Sequence, residues 1–105
     1  MIASRTILFL AIVGLPLFAR AASMPDQQRV DQGKALAQKQ CSSCHVVDGQ
    51  GGGSDAAPSF SSIATTRGDE FLHTWLIKPH GNMPPVDLTN EQTNSIIAYI
   101  ESLKK

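Results

Sequence analysis

The residues with the clearest chemical potential are two cysteines and a histidine in one short segment, Cys41-Ser42-Ser43-Cys44-His45. This C-x-x-C-H spacing is typical of covalent haem attachment. On a helical turn, positions i, i+3 and i+4 share one face, so both thiols and the imidazole can approach the same ligand. We predict that Cys41 and Cys44 each add a thiol across a porphyrin vinyl group, and that His45 places an imidazole nitrogen on the iron.

Three other kinds of site use the same residue types. A thioredoxin-type redox pair needs a strand followed by a helix, and no segment before Cys41 alternates as a strand does. A zinc site needs four ligands; His73 or His80 could contribute, but the chain has no second C-x-x-C. A structural disulfide between Cys41 and Cys44 gives His45 no role. The motif therefore favours haem over these alternatives.

A haem iron bound by one histidine has a second axial position to fill. Met24 lies ahead of the cysteines, whereas Met83 follows His45 by 38 residues, enough chain to reach the other face of a haem. Two prolines follow Met83 and stiffen its polar loop, which is a poor place for the core role that methionine usually has. We predict Met83 as the second axial ligand, with His80 as the main competitor and His73 as a weaker one.

The elements that must position these residues are helices and loops. Helical periodicity and capping signals predict three main helices, at Asp26 to Gln40, Asp69 to Lys78, and from a Thr89 cap with Gln92 in the capping-box position to Leu103. Glycine and proline mark two irregular loops, at Asp48 to Ser59 and His80 to Leu88. No segment alternates as a strand does, so we predict an all-α fold.

The composition indicates that a bound group completes the core. Of the 84 residues after Ala21, 29 are apolar, which is a low share for so small a domain. A single disulfide between cysteines so close in sequence would add little stability. A bound cofactor is therefore the better candidate for the group that completes the core. The same residues carry 7 basic and 9 acidic side chains, for a net charge of −2. With no basic patch, we expect no nucleic-acid partner.

The first 21 residues have the three parts of a secretory signal peptide. A short positive start, Met1 to Arg5, precedes a mostly apolar run, Thr6 to Phe18, and Ala19-Arg20-Ala21 places small residues where a signal peptidase reads them. The run of 13 residues is shorter than the roughly 20 of a spanning helix, although an uncleaved anchor is the alternative. We expect cleavage after Ala21, which leaves residues 22–105 as one domain without a membrane span in the bacterial periplasm.

The order of these features resembles that of a small bacterial class I cytochrome c, which has the mitochondrial-type fold. The resemblance covers roughly Val30 to Leu103 and rests on Gly33, the C-x-x-C-H motif, Pro58, Trp75, Met83-Pro84 and a final helix with Ile-Ala-Tyr-Ile. It implies three main helices and irregular loops wrapped around one covalently attached haem c.

The resemblance also implies roles for single residues. In this family the first and last helices cross at a glycine near an aromatic residue, and Gly33 and Tyr99 match those positions. Ala37 stands where an aromatic is usual, a departure expected to loosen the crossing. Pro58 matches a proline whose carbonyl accepts the N–H of the ligating histidine. Trp75 matches a tryptophan that often points its N–H at a haem propionate, with a packed core indole as the alternative.

By the same resemblance, we expect a periplasmic one-electron carrier and not an enzyme. One haem c would cycle between Fe(III) and Fe(II), and two axial ligands, His45 and Met83, would leave no open position for a substrate. The partners would be redox proteins, and we expect a monomer. Three alternatives remain: a haem c subunit of a periplasmic oxidoreductase complex, a gas sensor or peroxidase-like enzyme, and a thiol redox protein without haem.

Overall fold

The computed structural model describes residues 11–14, 26–49, 52–78 and 80–105. Within these ranges there are four helices and no strand: α1 is Asp26–Gln40, α2 is Phe60–Thr66, α3 is Asp69–Ile77 and α4 is Asn90–Ser102. The predicted all-α fold is confirmed. Irregular segments separate α1 from α2 and α3 from α4, as the glycine and proline pattern indicated.

Helices α1 and α4 form the main helix pair, and they cross where α1 has a glycine. A Cβ built on Gly33 would lie 1.8 Å from the carbonyl oxygen of Ser95 in α4. Only a residue without a side chain lets two backbones approach this closely. Ala37, one turn further along α1, is fully buried in the same core. The crossing lies at the glycine that the family resemblance indicated.

A buried hydrogen bond ties α4 to the first loop. The Tyr99 hydroxyl donates to the carbonyl oxygen of Val47 across 2.7 Å. Burial and, to a lesser extent, the negative charge of Asp48 raise the pKa of Tyr99, so the phenol keeps its proton. The Tyr99 ring also lies 6.4 Å from that of Phe60, between centroids. These contacts hold the segment after the C-x-x-C-H motif against the last helix.

Helix α2 is a short fourth helix beside the three main helices that the sequence predicted. Its sequence, FSSIATT, consists largely of serine and β-branched residues, which are weak helix formers. Ser59 caps it by accepting a hydrogen bond from the Ser62 N–H at 3.2 Å. Phe60 and Ala64 bury one face, and α2 packs against α4. Tertiary packing makes this segment helical. A hydrophobic pattern over only seven residues does not reveal such packing.

The other helix boundaries follow the sequence signals closely. Helix α3 ends at Ile77, one residue before the predicted end at Lys78. At the start of α4, the Gln92 N–H donates to the Thr89 hydroxyl at 3.1 Å, and the Thr89 N–H donates to the Gln92 side-chain oxygen at 2.9 Å. The predicted capping box is therefore confirmed.

Within the described ranges, no helix has both the length and the apolar character needed to cross a membrane. The predicted signal segment, residues 1–21, lies outside the described residues except for 11–14, which are exposed and non-helical. Met24 also lies outside them. The division of the chain into residues 1–21 and 22–105 therefore stays a prediction.

Candidate haem-binding site

The C-x-x-C-H motif continues the hydrogen bonding of α1 beyond its last residue. The Cys41 N–H donates to the carbonyl oxygen of Ala37 at 2.8 Å, and the His45 N–H donates to that of Cys41 at 2.9 Å. Both thiols and the imidazole therefore stand on one turn, as their spacing indicated. Both cysteines are free; Cys41 is buried and Cys44 is exposed.

Two of the alternatives lose support from this geometry. Burial raises the pKa of the Cys41 thiol, which keeps it protonated at neutral pH. A redox-active cysteine needs the opposite shift, because the thiolate is the attacking species. In the part of the chain that the structure describes, no three His, Cys, Asp or Glu side chains come together as a metal-binding group. A zinc site has no ligand set there.

The first loop folds back onto the motif turn. The Gly53 N–H donates to the Ser42 carbonyl oxygen at 2.8 Å, and the Ser54 N–H donates to that of Cys44 at 2.9 Å. Gly53 has a φ of +88°, and a Cβ there would lie 2.5 Å from the Val46 side chain, so this position requires glycine. The loop therefore stabilises the motif turn and places the residues that follow Ser54 in the chain beside it.

One of those later residues, Pro58, holds the histidine of the motif. The Nδ1 atom of His45 lies 2.7 Å from the Pro58 carbonyl oxygen. A carbonyl only accepts, so Nδ1–H donates and the Nε2 lone pair is left free. The Phe60 ring packs beside the imidazole, with 5.3 Å between centroids. An imidazole fixed in this way has the tautomer and orientation that a metal ligand needs.

Two adjoining cavities, of about 260 and 350 Å³, open beside the motif, and we call the two together the cleft. Both are bordered by five residues: Cys41, His45, Pro58, His80 and Met83. The first cavity is otherwise lined mainly by apolar side chains of α2, α3 and α4, and the second by the two loops. Cofactor sites have volumes of this order, roughly 300–1,000 Å³, and similar linings. The residues therefore fit a large apolar group held by two thiols and an imidazole.

Met83 reaches the cleft from the second loop. The Met83 N–H donates to the His80 carbonyl oxygen at 3.0 Å, which closes a turn from His80 to Met83. Gly81 inside this turn has a φ of +52°. Met83 is half-buried and borders both cavities. The structure thus brings the predicted distal ligand into the same cleft as His45.

The two competing histidines occupy different places. His80 borders the cleft, and its Nδ1 lies 3.1 Å from the Trp75 carbonyl oxygen and 3.2 Å from that of Lys78. His73 lines neither cavity. Its Nε2 lies 3.6 Å from a carboxylate oxygen of Asp69, one turn earlier on α3. Of the two competitors, only His80 is brought to the predicted site.

Trp75 borders the first cavity at the end of α3. Its indole stacks on Phe71, with 4.9 Å between centroids, and meets the His80 ring edge-on at 4.0 Å. Trp75 is 40% exposed, so it is not a closely packed core residue.

Arg67 is a site residue that the sequence analysis missed. Its guanidinium carbon lies 4.4 Å from the centre of the Phe71 ring, and Arg67 borders the first cavity. Among the described residues that line the cleft, no other is a lysine, arginine, aspartate or glutamate. Arg67 is the C-cap of α2, a helix that the sequence pattern did not predict, so its place was not visible from the sequence.

Comparisons with known proteins point to the same cofactor. The family model described as subunit III of cbb3-type cytochrome c oxidase matches residues 28–100. Cytochrome c-552 of Bradyrhizobium diazoefficiens is 41% identical over 75 residues, which cover 69% of this chain and 72% of that relative. The chain belongs to the cytochrome c family. The cofactor of this cytochrome is therefore covalently bound haem c, and the resemblance to a small bacterial c-type cytochrome is confirmed.

A second relative is a much longer protein. Cytochrome c oxidase subunit 2 of Alkalihalophilus pseudofirmus is 30% identical over 95 residues, which cover 76% of this cytochrome but 27% of that subunit. The cytochrome thus corresponds to about a quarter of the subunit. No solved structure gives a significant match.

Proposed function

We propose that this cytochrome is a periplasmic one-electron carrier whose single haem c has His45 and Met83 as axial iron ligands. The observation that carries the proposal is the shared cleft, because His45, with Nδ1 held by Pro58, borders the same two cavities as Met83 and Cys41. When bound, the haem supplies an iron that cycles between Fe(III) and Fe(II). The chain's own residues attach that group, tune it and enclose it.

Cys41 and Cys44 provide the covalent attachment. Each S–H adds across one vinyl C=C bond to give a thioether, a step that needs no external oxidant or reductant. Cys41 is buried and Cys44 is exposed, so Cys41 would hold the group from inside the fold and Cys44 from the surface. The two bonds fix the haem to the turn that also carries His45, so the imidazole and the iron cannot separate far.

In this proposal the two axial ligands set the reduction potential and leave no open coordination position on the iron. The Pro58 carbonyl accepts the Nδ1 hydrogen bond, which orients His45 and makes its Nε2 a better donor. The thioether of Met83 is a soft, weak donor that favours Fe(II), so a His/Met pair raises the reduction potential. With both axial positions filled, a substrate has no place on the iron, which argues for a carrier and against an enzyme.

Arg67 and Trp75 bind the haem propionates in this proposal. A haem carries two carboxylates, and the apolar first cavity offers them one cationic side chain, Arg67, held over the Phe71 ring. Burying an unpaired carboxylate is costly, so Arg67 would be the side chain of the first cavity that pairs with a propionate. The partly exposed Trp75 lies next to Phe71 and can donate its indole N–H in the same region.

The names of the relatives favour a second candidate, the haem c subunit of a periplasmic oxidoreductase complex. The matching family model and one relative are described as oxidase subunits, whereas the B. diazoefficiens relative is described only as a cytochrome. Mild affinity purification of the tagged cytochrome from its own periplasm separates the two. A carrier elutes as a haem-containing monomer, and a subunit elutes with stoichiometric partner chains.

The periplasmic location follows from residues 1–21, which we propose as a cleaved signal peptide. Secretion would place the two thiols in an oxidising compartment, where haem attachment protects them from disulfide formation. N-terminal sequencing of the exported protein tests this. Ala22 is the expected first residue, and an intact Met1 would mean that the segment is retained as an anchor.

Optical spectroscopy of the purified cytochrome tests the central assignment. The ferric protein should show the weak near-infrared band of a Met–iron bond, and the ferrous protein should not bind carbon monoxide readily. Absence of that band, or rapid carbon monoxide binding, would reject Met83 as the resting ligand. Acid–acetone extraction should leave the haem on the polypeptide, because thioether bonds survive it.

A further inference from the structure

His80 borders the cleft beside Met83, and the proposed function gives it no role. We propose that His80 is a second distal ligand, which binds the haem iron whenever the Met83 thioether does not, so that the sixth position stays closed. The inference rests on the proposed function, in which Met83 is the resting ligand. Three independent features of the structure support it.

The first feature is the state of the imidazole. The Nδ1 atom of His80 lies within hydrogen-bond distance of two carbonyl oxygens, those of Trp75 and Lys78. Carbonyls only accept, so Nδ1 carries the proton and the lone pair is on Nε2. This is the arrangement of His45 on the Pro58 carbonyl. No described residue is hydrogen-bonded to Nε2 of His80, which leaves that nitrogen free to bind a metal.

The second feature is location. His80 is half-buried and borders both cavities of the cleft, as His45 and Met83 do. Its ring packs against that of Trp75, with 4.0 Å between centroids, which keeps the imidazole at the cleft. The other histidine outside the motif shows the contrast: His73 lines neither cavity and faces Asp69 on its own helix.

The third feature is the short path between the two ligands. His80 and Met83 are the ends of one turn, closed by the 3.0 Å hydrogen bond between their backbones. The Cα atoms at the ends of such a turn lie within about 7 Å of each other. Replacing a thioether by an imidazole therefore needs a local change around Gly81, a residue that readily changes φ. Helices α3 and α4 can stay where they are.

This arrangement has a functional consequence. If Met83 were displaced and nothing replaced it, the iron would be open to carbon monoxide, cyanide and peroxides. An imidazole from the same turn closes the site at once, and because it donates more strongly than a thioether it stabilises Fe(III) and lowers the potential. The cytochrome then stops carrying electrons at its usual potential without gaining ligand-binding activity.

The test uses holoprotein variants in which the thioether is removed. Met83→Leu keeps the bulk of the side chain but cannot ligate, and Met83→Ala provides a second background in case leucine distorts the turn. Each is combined with His80→Gln, which removes the proposed ligand, and, as a matched control, with His73→Gln. Spin state is read from visible and paramagnetic resonance spectra, and carbon monoxide affinity of the ferrous protein from titration.

We expect Met83→Leu and its His73→Gln double variant to be low-spin, with the signature of two imidazole ligands. Met83→Leu with His80→Gln should be high-spin. If His80 occupies the iron in about nine molecules of ten, removing it should strengthen carbon monoxide binding about tenfold. Two results would overturn the inference: a high-spin Met83→Leu protein, or a low-spin double variant without His80. A wild type that lacks the Met–iron band would instead reject the proposed axial pair itself.

Discussion

At the residue scale, the site depends on which nitrogen of each imidazole keeps its proton. Both histidines of the cleft place Nδ1 against main-chain carbonyls, His45 on Pro58 and His80 on Trp75 and Lys78. Each carbonyl fixes one tautomer and leaves Nε2 as the donor atom. Main-chain carbonyls thus determine which ring nitrogen of each histidine can coordinate a metal.

The role of Met83 gives the first prediction. Met83→His should keep the haem attached, because Cys41, Cys44 and His45 are unchanged, and it should lower the reduction potential by roughly 0.1–0.3 V, since axial ligands move haem potentials within a range of about 0.8 V. The near-infrared Met–iron band should disappear. Potentiometric titration of wild type and variant measures the change, and an unaltered potential would show that Met83 is not a ligand.

The charge of Arg67 gives the second prediction. Reduction removes one positive charge from the iron, so a nearby guanidinium favours the ferrous state. Arg67→Gln should therefore lower the potential, by up to about 60 mV, a tenfold change in a one-electron equilibrium. Arg67 is exposed, so solvent and salt screen part of this effect. Arg67→Lys is the control that keeps the charge. If the Arg67→Gln variant had the same reduction potential as wild type, Arg67 would not be a residue that binds the propionates.

At the scale of elements, the crossing of α1 and α4 leaves no room for a side chain at Gly33. We predict that Gly33→Ser destabilises the holoprotein by about 3 kcal/mol, the upper end of the cost of overpacking, because the added Cβ meets the Ser95 backbone and the helices must move apart. Gly68→Ser is the matched control, since a Cβ there meets nothing within 4 Å and serine suits the N-cap of α3. Denaturant unfolding followed by haem absorbance compares the two; equal midpoints would contradict a tight crossing.

The hydrogen bond of Tyr99 joins α4 to the first loop and predicts a pH dependence. Burial raises the pKa of Tyr99 in the folded protein, whereas the unfolded chain has the ordinary value of about 10. Above that pH the unfolded tyrosine loses its proton while the folded one keeps it, so stability falls as pH rises. Tyr99→Phe should cost roughly 0.5–1.5 kcal/mol at pH 8 through loss of the bond to Val47. The gap between wild type and variant should narrow above pH 10; a constant gap would mean that the phenol ionises equally in both states.

The helices also show how much of the fold could be predicted from the sequence. Long periodic segments with caps, such as α1 and the Thr89 to Ser102 segment, were predicted because their signals are local. Helix α2 was not, since its seven residues become helical through packing against α4. The same limit applies to the site. The spacing of Cys41, Cys44 and His45 is local, but the placement of Arg67 at the cleft depends on the missed helix.

At the scale of the whole molecule, the cleft and the core are one apolar region. Leu72, Phe60 and Ile100 belong to the buried core and also line the first cavity. Only ten apolar residues among those described are buried, which is few for a free-standing domain. A haem in the cleft would cover the apolar surface that these side chains turn toward it. We infer that the cofactor is a structural part of this fold as well as its redox centre.

The last prediction follows from that inference. Without attached haem, the chain must hold its helices around a cavity lined by apolar groups, and a group that binds only the folded state contributes its binding free energy to folding. Cys41→Ala with Cys44→Ala, produced and kept free of haem, should therefore be largely unfolded, with weak far-ultraviolet circular dichroism and no cooperative thermal transition. Ser42→Ala with Ser43→Ala alters the same turn but keeps both thiols, so it should attach haem and melt cooperatively. A haem-free cysteine variant with native helix content and a cooperative transition would show that the polypeptide core is sufficient on its own.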